Sequence, residues 1–197
     1  MRLLIDDVID LLRLRVKPLA AYQYPWWQPA LMLTVLGLVA SGDTGDLGDN
    51  IAGRMGYAVA LTWLAVAGFS RFMSFWLRLN KGDVGGSLFG LVVVASGLQF
   101  ILPLASWLPD DAAAGMYFSV SLFGMIVMVN ALSKVAAVSK WRVLLGMFLF
   151  APLGLLLMAV TLSFSKMAGW VDLPPEVEAA VQAQAKNASG SAAWLKK

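Results

Sequence analysis

The chain has neither cysteine nor histidine. The first absence excludes disulfide frameworks and thiolate nucleophiles, and the two together remove the usual zinc sites and most haem ligation. Without histidine, the side chain that most often moves protons near neutral pH is also missing. Charge is scarce: Asp, Glu, Lys and Arg make up 14% of the residues, against roughly a quarter in ordinary soluble domains. Catalytic signatures are lacking too. There is no Gly-x-Ser-x-Gly, no phosphate-binding loop, no dinucleotide fingerprint and no zinc-metalloprotease helix. Ser133 and Lys134, or Ser139 and Lys140, are adjacent residues, which face apart on a helix. The expectation is a non-catalytic protein with no cofactor, no metal and no nucleic-acid partner.

Apolar sequence takes the place of what is missing. Hydrophobic residues account for 59% of the chain, and its mean hydropathy is +0.74. Runs at residues 55–69, 88–102, 116–129 and 143–162 contain no charge. With helical flanks, each approaches or reaches the roughly 20 residues needed to cross hydrocarbon. The fold class expected is all-α: a polytopic membrane protein with five transmembrane helices, preceded by an amphipathic interfacial helix. The spans fall at about residues 25–41, 53–77, 85–107, 113–133 and 141–165, the first being the shortest. Pro103 is expected to kink or end the third, and Pro152 to kink the fifth. Three regions follow: the interfacial helix at 1–20, the membrane domain at 21–165 and a polar tail at 166–197.

In residues 1–20, Arg2, Asp6, Asp10, Arg13 and Lys17 recur at intervals of three and four, so they share one helical face. Leu4, Ile5, Val8, Leu11, Leu12, Val16 and Leu19 cover the other. Asp6, Asp7 and Asp10 exclude a signal-peptide core. Such a helix lies in the membrane surface or docks on the protein's own cytoplasmic face. The next stretch, YQYPWWQP at residues 22–29, places four rings and two prolines before the first span. Trp26 and Trp27 are expected to anchor it at headgroup depth, with Trp170 doing the same at the other boundary. The polar loop SGDTGDLGDN carries Asp43, Asp46 and Asp49 at every third position, with no closing Glu. That spacing suits a solvated turn rather than a calcium loop.

Basic residues set the orientation. Arg2, Arg13, Arg15, Lys17, Arg71, Arg78, Lys81, Lys134, Lys140 and Arg142 fall on one side of the five-span layout. The opposite loops hold Arg54 beside Asp43, Asp46, Asp49, Asp110 and Asp111. The N-terminus is therefore expected in the cytoplasm and the C-terminus outside it, in the bacterial inner membrane.

Within the spans, Gly86, Gly90 and Gly97 share one face of the third helix, and Gly56, Ala60 and Ala67 one face of the second. Small residues let helix backbones approach closely in lipid. The favoured use is packing within the chain, and a homo-oligomer surface is the other. Gln99 and Asn130 are the amides embedded in apolar sequence, and interhelical hydrogen bonds are expected for both. No span carries a carboxylate at mid-depth, which disfavours an ion or proton path.

The block YFSVSLFGMIVMVNALSKVAAVSKWRVLLGMFLFAPLGLLL, residues 117–157, resembles the last two spans of bacterial Yip1-domain membrane proteins. The likeness is a long apolar helix, a short basic turn and a final helix. The amphipathic start, the aromatic stretch and the five-span count are similar to that family as a pattern. The resemblance implies no catalytic residue and no cofactor. The functional expectation is a non-catalytic membrane scaffold or accessory subunit that packs against other integral membrane proteins. The alternative is a small transporter or channel with Gln99 and Asn130 in a polar seam.

Overall fold

The computed structural model describes residues 2–79 and 85–172, without the side chains of Arg2, Leu3 and Asp43. Most of the expected polar tail and Lys81 lie outside the described residues. Among those residues every regular element is helical. They are α1 (Arg2–Leu12), α2 (Trp27–Ala40), α3 (Ile51–Arg78), α4 (Phe89–Ala95), α5 (Asp110–Val135) and α6 (Lys140–Met167), with 3-10 helices at Leu19–Tyr22, Ser41–Leu47 and Ser96–Trp107.

The ends of these helices follow from local chemistry. Asn50 caps α3 by accepting from the Gly53 N–H at 2.9 Å, and the Ser139 hydroxyl caps α6. Asp110 and Asp111 open α5, while Arg78, Lys134 and Lys166 close α3, α5 and α6, each sign matching the helix dipole. Three helices stop on a left-handed residue: Leu14 after α1, Ala137 after α5 and Gly169 after α6. In each case the following N–H reaches back to a carbonyl in the last turn, as in Arg15 to Asp10, Val138 to Ser133 and Trp170 to Ser165. Only the third stop uses glycine, so Leu14 and Ala137 hold backbone that side chains disfavour.

Four helical stretches are long and apolar enough to cross a membrane: Ile51–Arg78, Phe89–Trp107, Asp110–Val135 and Lys140–Met167. They match the second to fifth expected spans to within four residues at either end. The five-span expectation is thus met only in part. At 14 residues, α2 rises about 21 Å, short of the roughly 30 Å of hydrocarbon. α2 lies antiparallel on α3: Trp63 Nε1 donates to Thr34 Oγ1 at 3.4 Å, and a Cβ on Gly37 would meet the Val59 Cα at 2.6 Å.

α3 is the central helix, packing most extensively on α6 and α2. Phe69 and Phe72 meet the Phe150 ring of α6, with centroids 5.2 and 5.6 Å apart. The Arg142 guanidinium donates to the Trp76 and Leu77 carbonyls, closing the end of α3 that carries Arg78. At the other end Asn50 Nδ2 donates to the Gly169 carbonyl, and a Cβ on Gly53 would fall 2.1 Å from the Trp170 carbonyl oxygen. α3 and α6 are therefore stitched together at both ends.

The third span corrects an expectation. It neither ends nor simply kinks at Pro103; it changes from α to 3-10 geometry at Ser96 and keeps it to Trp107. Twelve residues is long for a 3-10 helix, whose hydrogen bonds are poorer. Two local causes are visible. Pro103 has no N–H to offer the preceding turn. The Ser96 hydroxyl donates to the Val92 carbonyl at 3.0 Å, competing with the α-helical ladder at the point of change. α6, by contrast, runs unbroken through Pro152.

Candidate functional site

The densest polar constellation lies where the N-terminal segment folds back on the bundle. The expected helix over residues 1–20 is shorter than its periodicity suggests: α1 stops at Leu12, and the chain reverses through Leu14 and Lys17 into the Leu19–Tyr22 helix. α1 and this return form a hook. It packs against α4, the following 3-10 helix and α5, with Leu4, Leu11 and Tyr22 buried.

Asp7 is the surprise in the hook. Its neighbours Asp6 and Asp10 occupy the polar stripe, yet Asp7 is 5% exposed. The carboxylate accepts from Lys17 Nζ at 2.6 Å and from the Tyr24 hydroxyl. Lys17 also reaches Asp10 at 2.8 Å, and its backbone N–H donates to the Tyr22 hydroxyl at 3.1 Å. These contacts clamp α1 to the return strand of the hook. The hydrogen bond from Lys17 holds the Asp10 carboxyl below the usual carboxylate range, and the two carboxylates raise the Lys17 ammonium. Burial, then the bond to Asp7, pushes the Tyr24 phenol up. The cluster thus brings two carboxyl groups, one amine and two phenols together.

Gly90 and Gly97 of the third span, and Gly86 just before it, lie against this hook. A Cβ on Gly86 would come within 3.3 Å of Leu19 and Gln23, and one on Gly97 within 2.9 Å of Val8 and Met32. At Gly90 it would fall 2.0 Å from the Tyr22 carbonyl oxygen, inside any permitted contact. Gly86 precedes α4, which starts at Phe89, so the three glycines do not share one helical face as their spacing suggests; each instead lies close to the N-terminal segment, and Gly97 also to Met32 of α2.

The two amides separate. Asn130 Nδ2 donates to the Leu14 carbonyl at 3.3 Å, and Lys134 Nζ, one turn on, reaches the same oxygen at 3.3 Å. The left-handed Leu14 directs its carbonyl to α5, so Asn130 secures the hook's bend and not a second span. Gln99 is exposed and lines a cleft with Leu36, Pro103 and Tyr117. Asn130 lines a different one, with Leu14 and Trp141.

Trp26 is 83% exposed and Trp27 less so. Trp170 instead stacks edge-on against Phe164, at a centroid distance of 6.2 Å, and covers Gly56. Trp107 and Trp141, which sequence reasoning passed over as anchors, are 83% and 81% exposed. Their signal was their position at the ends of apolar runs. No protein family, no curated protein and no solved structure matches the chain, so the likeness to Yip1-domain proteins rests on residues 117–157 and the span pattern alone.

Proposed function

We propose that the protein is a non-catalytic membrane scaffold or accessory subunit, built to present apolar helix faces to a larger membrane assembly. One observation carries this reading: the polar groups of the bundle are spent on local structure instead of lining a path. Thr34, Thr62, Ser96, Thr161 and Ser163 each donate to a carbonyl four residues earlier in their own helix. Asn130 and Gln99 occupy separate clefts, which leaves the transporter alternative without its seam. Outward, α5 and α6 show Phe118, Leu122, Phe148 and Leu155. Faces of that kind suit lipid and other spanning helices.

In this reading α2 completes a fifth crossing. Its register against α3, carried back from Thr34, sets Trp27 beside the turn of Ser70 and Arg71, so the aromatic stretch meets the membrane boundary. The basic C-terminal ends of α3 and α5 and the start of α6, with Lys140 and Arg142, face the cytoplasm of a bacterial inner membrane, and the tail leaves on the other side. A reporter enzyme active only outside the cytoplasm should work when fused after Lys197 and fail when fused after Arg78. The reverse pattern would discard the topology. The scaffold role is tested by extraction in mild detergent and identification of what co-elutes. Stable co-elution with a larger membrane complex is expected. A protein that purifies alone and conducts a solute across vesicles would overturn the proposal.

A further inference from the structure

A cleft of about 830 Å³ runs along the last three turns of α3 and the start of the third span. Its walls change character along their length. Ala67 and Phe89 line an apolar part, whereas Arg71 and Arg78 stand two helical turns apart towards the other end. Among the described lining residues there is no carboxylate. Arg71 makes no hydrogen bond or ion pair among the described residues.

Depth gives this arrangement a meaning. From the start of α3 to Ser70 is about 20 residues, or about 30 Å of helix, which matches the hydrocarbon core of a bilayer. Arg71 then falls at the boundary between hydrocarbon and headgroups. The stretch from Arg71 to Arg78 covers about 10 Å of rise, so it crosses the headgroup layer. A cation at that depth is costly unless it meets water or an anion. Ser70 and Ser74 compete little for such an anion, because they donate their protons to the Ala67 and Ser70 carbonyls.

We propose that this cleft binds the phosphate of an anionic phospholipid, with the guanidinium groups on the headgroup and an acyl chain along the Ala67 and Phe89 wall. Arginine suits the role because its planar fork pairs with phosphate oxygens through two bonds. The ligand chemistry is a phosphate ester, and its source is taken to be the surrounding lipid.

The test is native mass spectrometry of the delipidated full-length protein, titrated with phosphatidylglycerol or phosphatidylcholine in the same detergent. Phosphatidylglycerol should bind preferentially. R71Q should weaken it about 5-fold, and R71Q with R78Q together about 30-fold, at roughly one decade per 1.4 kcal/mol and about 1 kcal/mol per basic residue. K140Q removes a charge from the same end of the bundle but outside the cleft, and should change little. S87E, which sets a carboxylate at the exposed rim, should also exclude the lipid, and it leaves the buried face of α3 untouched if the arginine variants fold poorly. Equal binding of both lipids, or equal losses in K140Q and R71Q, would overturn the proposal in favour of general surface attraction. Displacement of the lipid by glycerol phosphate at equal concentration would assign the site to a soluble phosphate ester and overturn the lipid source.

Discussion

The third span and α6 are similar in composition and opposite in environment. Both are long apolar stretches, and α6 is the more apolar of the two. Yet 56% of the most apolar window of the third span is buried inside the protein, against 11% of that of α6. Hydropathy reports only that a helix avoids water; it does not distinguish a helix wrapped by its own chain from one presented to lipid. Close contact at glycines does so position by position. Gly90 and Gly97 of the third span meet the hook at 2.0–2.9 Å, and Gly146 of α6 meets Trp76 at 2.6 Å where α6 packs on α3, whereas Gly154, farther along α6, meets only Phe150 of its own helix, at 3.6 Å.

The sharpest way to break this contrast is to add one methyl group on each side of it. Gly90→Ala should cost about 3 kcal/mol, because the Tyr22 carbonyl is backbone and cannot swing aside. Gly154→Ala should lie within about 1 kcal/mol of the parent, since alanine favours helix. Reversible unfolding in mixed micelles measures both. Similar losses at the two positions would mean that the third span is no more enclosed than α6.

Next in size is the charged clamp. Asp7→Ala removes a buried acceptor from Tyr24 and Lys17, and should destabilise docking of the hook by about 1–3 kcal/mol. The absence of native cysteine makes the readout simple: a thiol introduced by Val8→Cys, facing Gly97, should become markedly more reactive. Acid should act in the same direction. The Asp10 pKa is lowered, so its contribution is present above the unfolded value near 3.9 and is lost as pH falls through the folded value. The Lys17 pKa is raised, so its contribution is complete below about 10.4 and is lost only as pH rises beyond that. The hook should be held best between about pH 4 and pH 10, with the mobility of a spin label at residue 8 rising on the acid side. A flat profile would detach docking from the clamp.

Asn130→Leu should have a smaller effect, about 0.5–1.5 kcal/mol, because Lys134 still reaches the Leu14 carbonyl. The loss should appear as hook release before any change in the pairing of α3 with α6. Smallest of all, Phe148→Ala and Leu155→Ala on the outward face of α6 should shift the stability of the isolated protein by no more than about 0.5 kcal/mol. Their effect should fall on co-elution with a partner. A loss of stability comparable to that of Gly90→Ala would place this face inside the protein.

The spans were legible because uninterrupted apolar runs need no knowledge of their neighbours. The close packing at Gly90 and Gly97 agrees with a small-residue spacing, but Gly86 lies before the helix begins, so the single face expected for all three does not form. What packs against them was not legible, since the answer is a segment some 60 to 90 residues earlier that periodicity leaves between the membrane surface and the protein's own cytoplasmic face. Asp7 shows the limit most clearly. Three nearby aspartates read as one polar group, but only Lys17 and Tyr24, arriving by a chain reversal at a non-glycine left-handed residue, make burial of one of them tolerable. The 3-10 geometry of residues 96–107 was hidden too, because Pro103 signals disruption without saying how far upstream it extends.

The bend at Leu14 also imposes an order on synthesis. Its carbonyl is held by Asn130, 116 residues later in the chain. At about 5–20 residues per second, that separation is roughly 6 to 23 s of translation. Throughout that interval the hook exists and its final seat does not. The apolar side of α1 needs temporary cover meanwhile, and a newly made amphipathic helix finds it at the lipid surface. The nascent chain therefore passes from a surface-bound start to a docked one, and the last spans to be made complete the placement of the first residues.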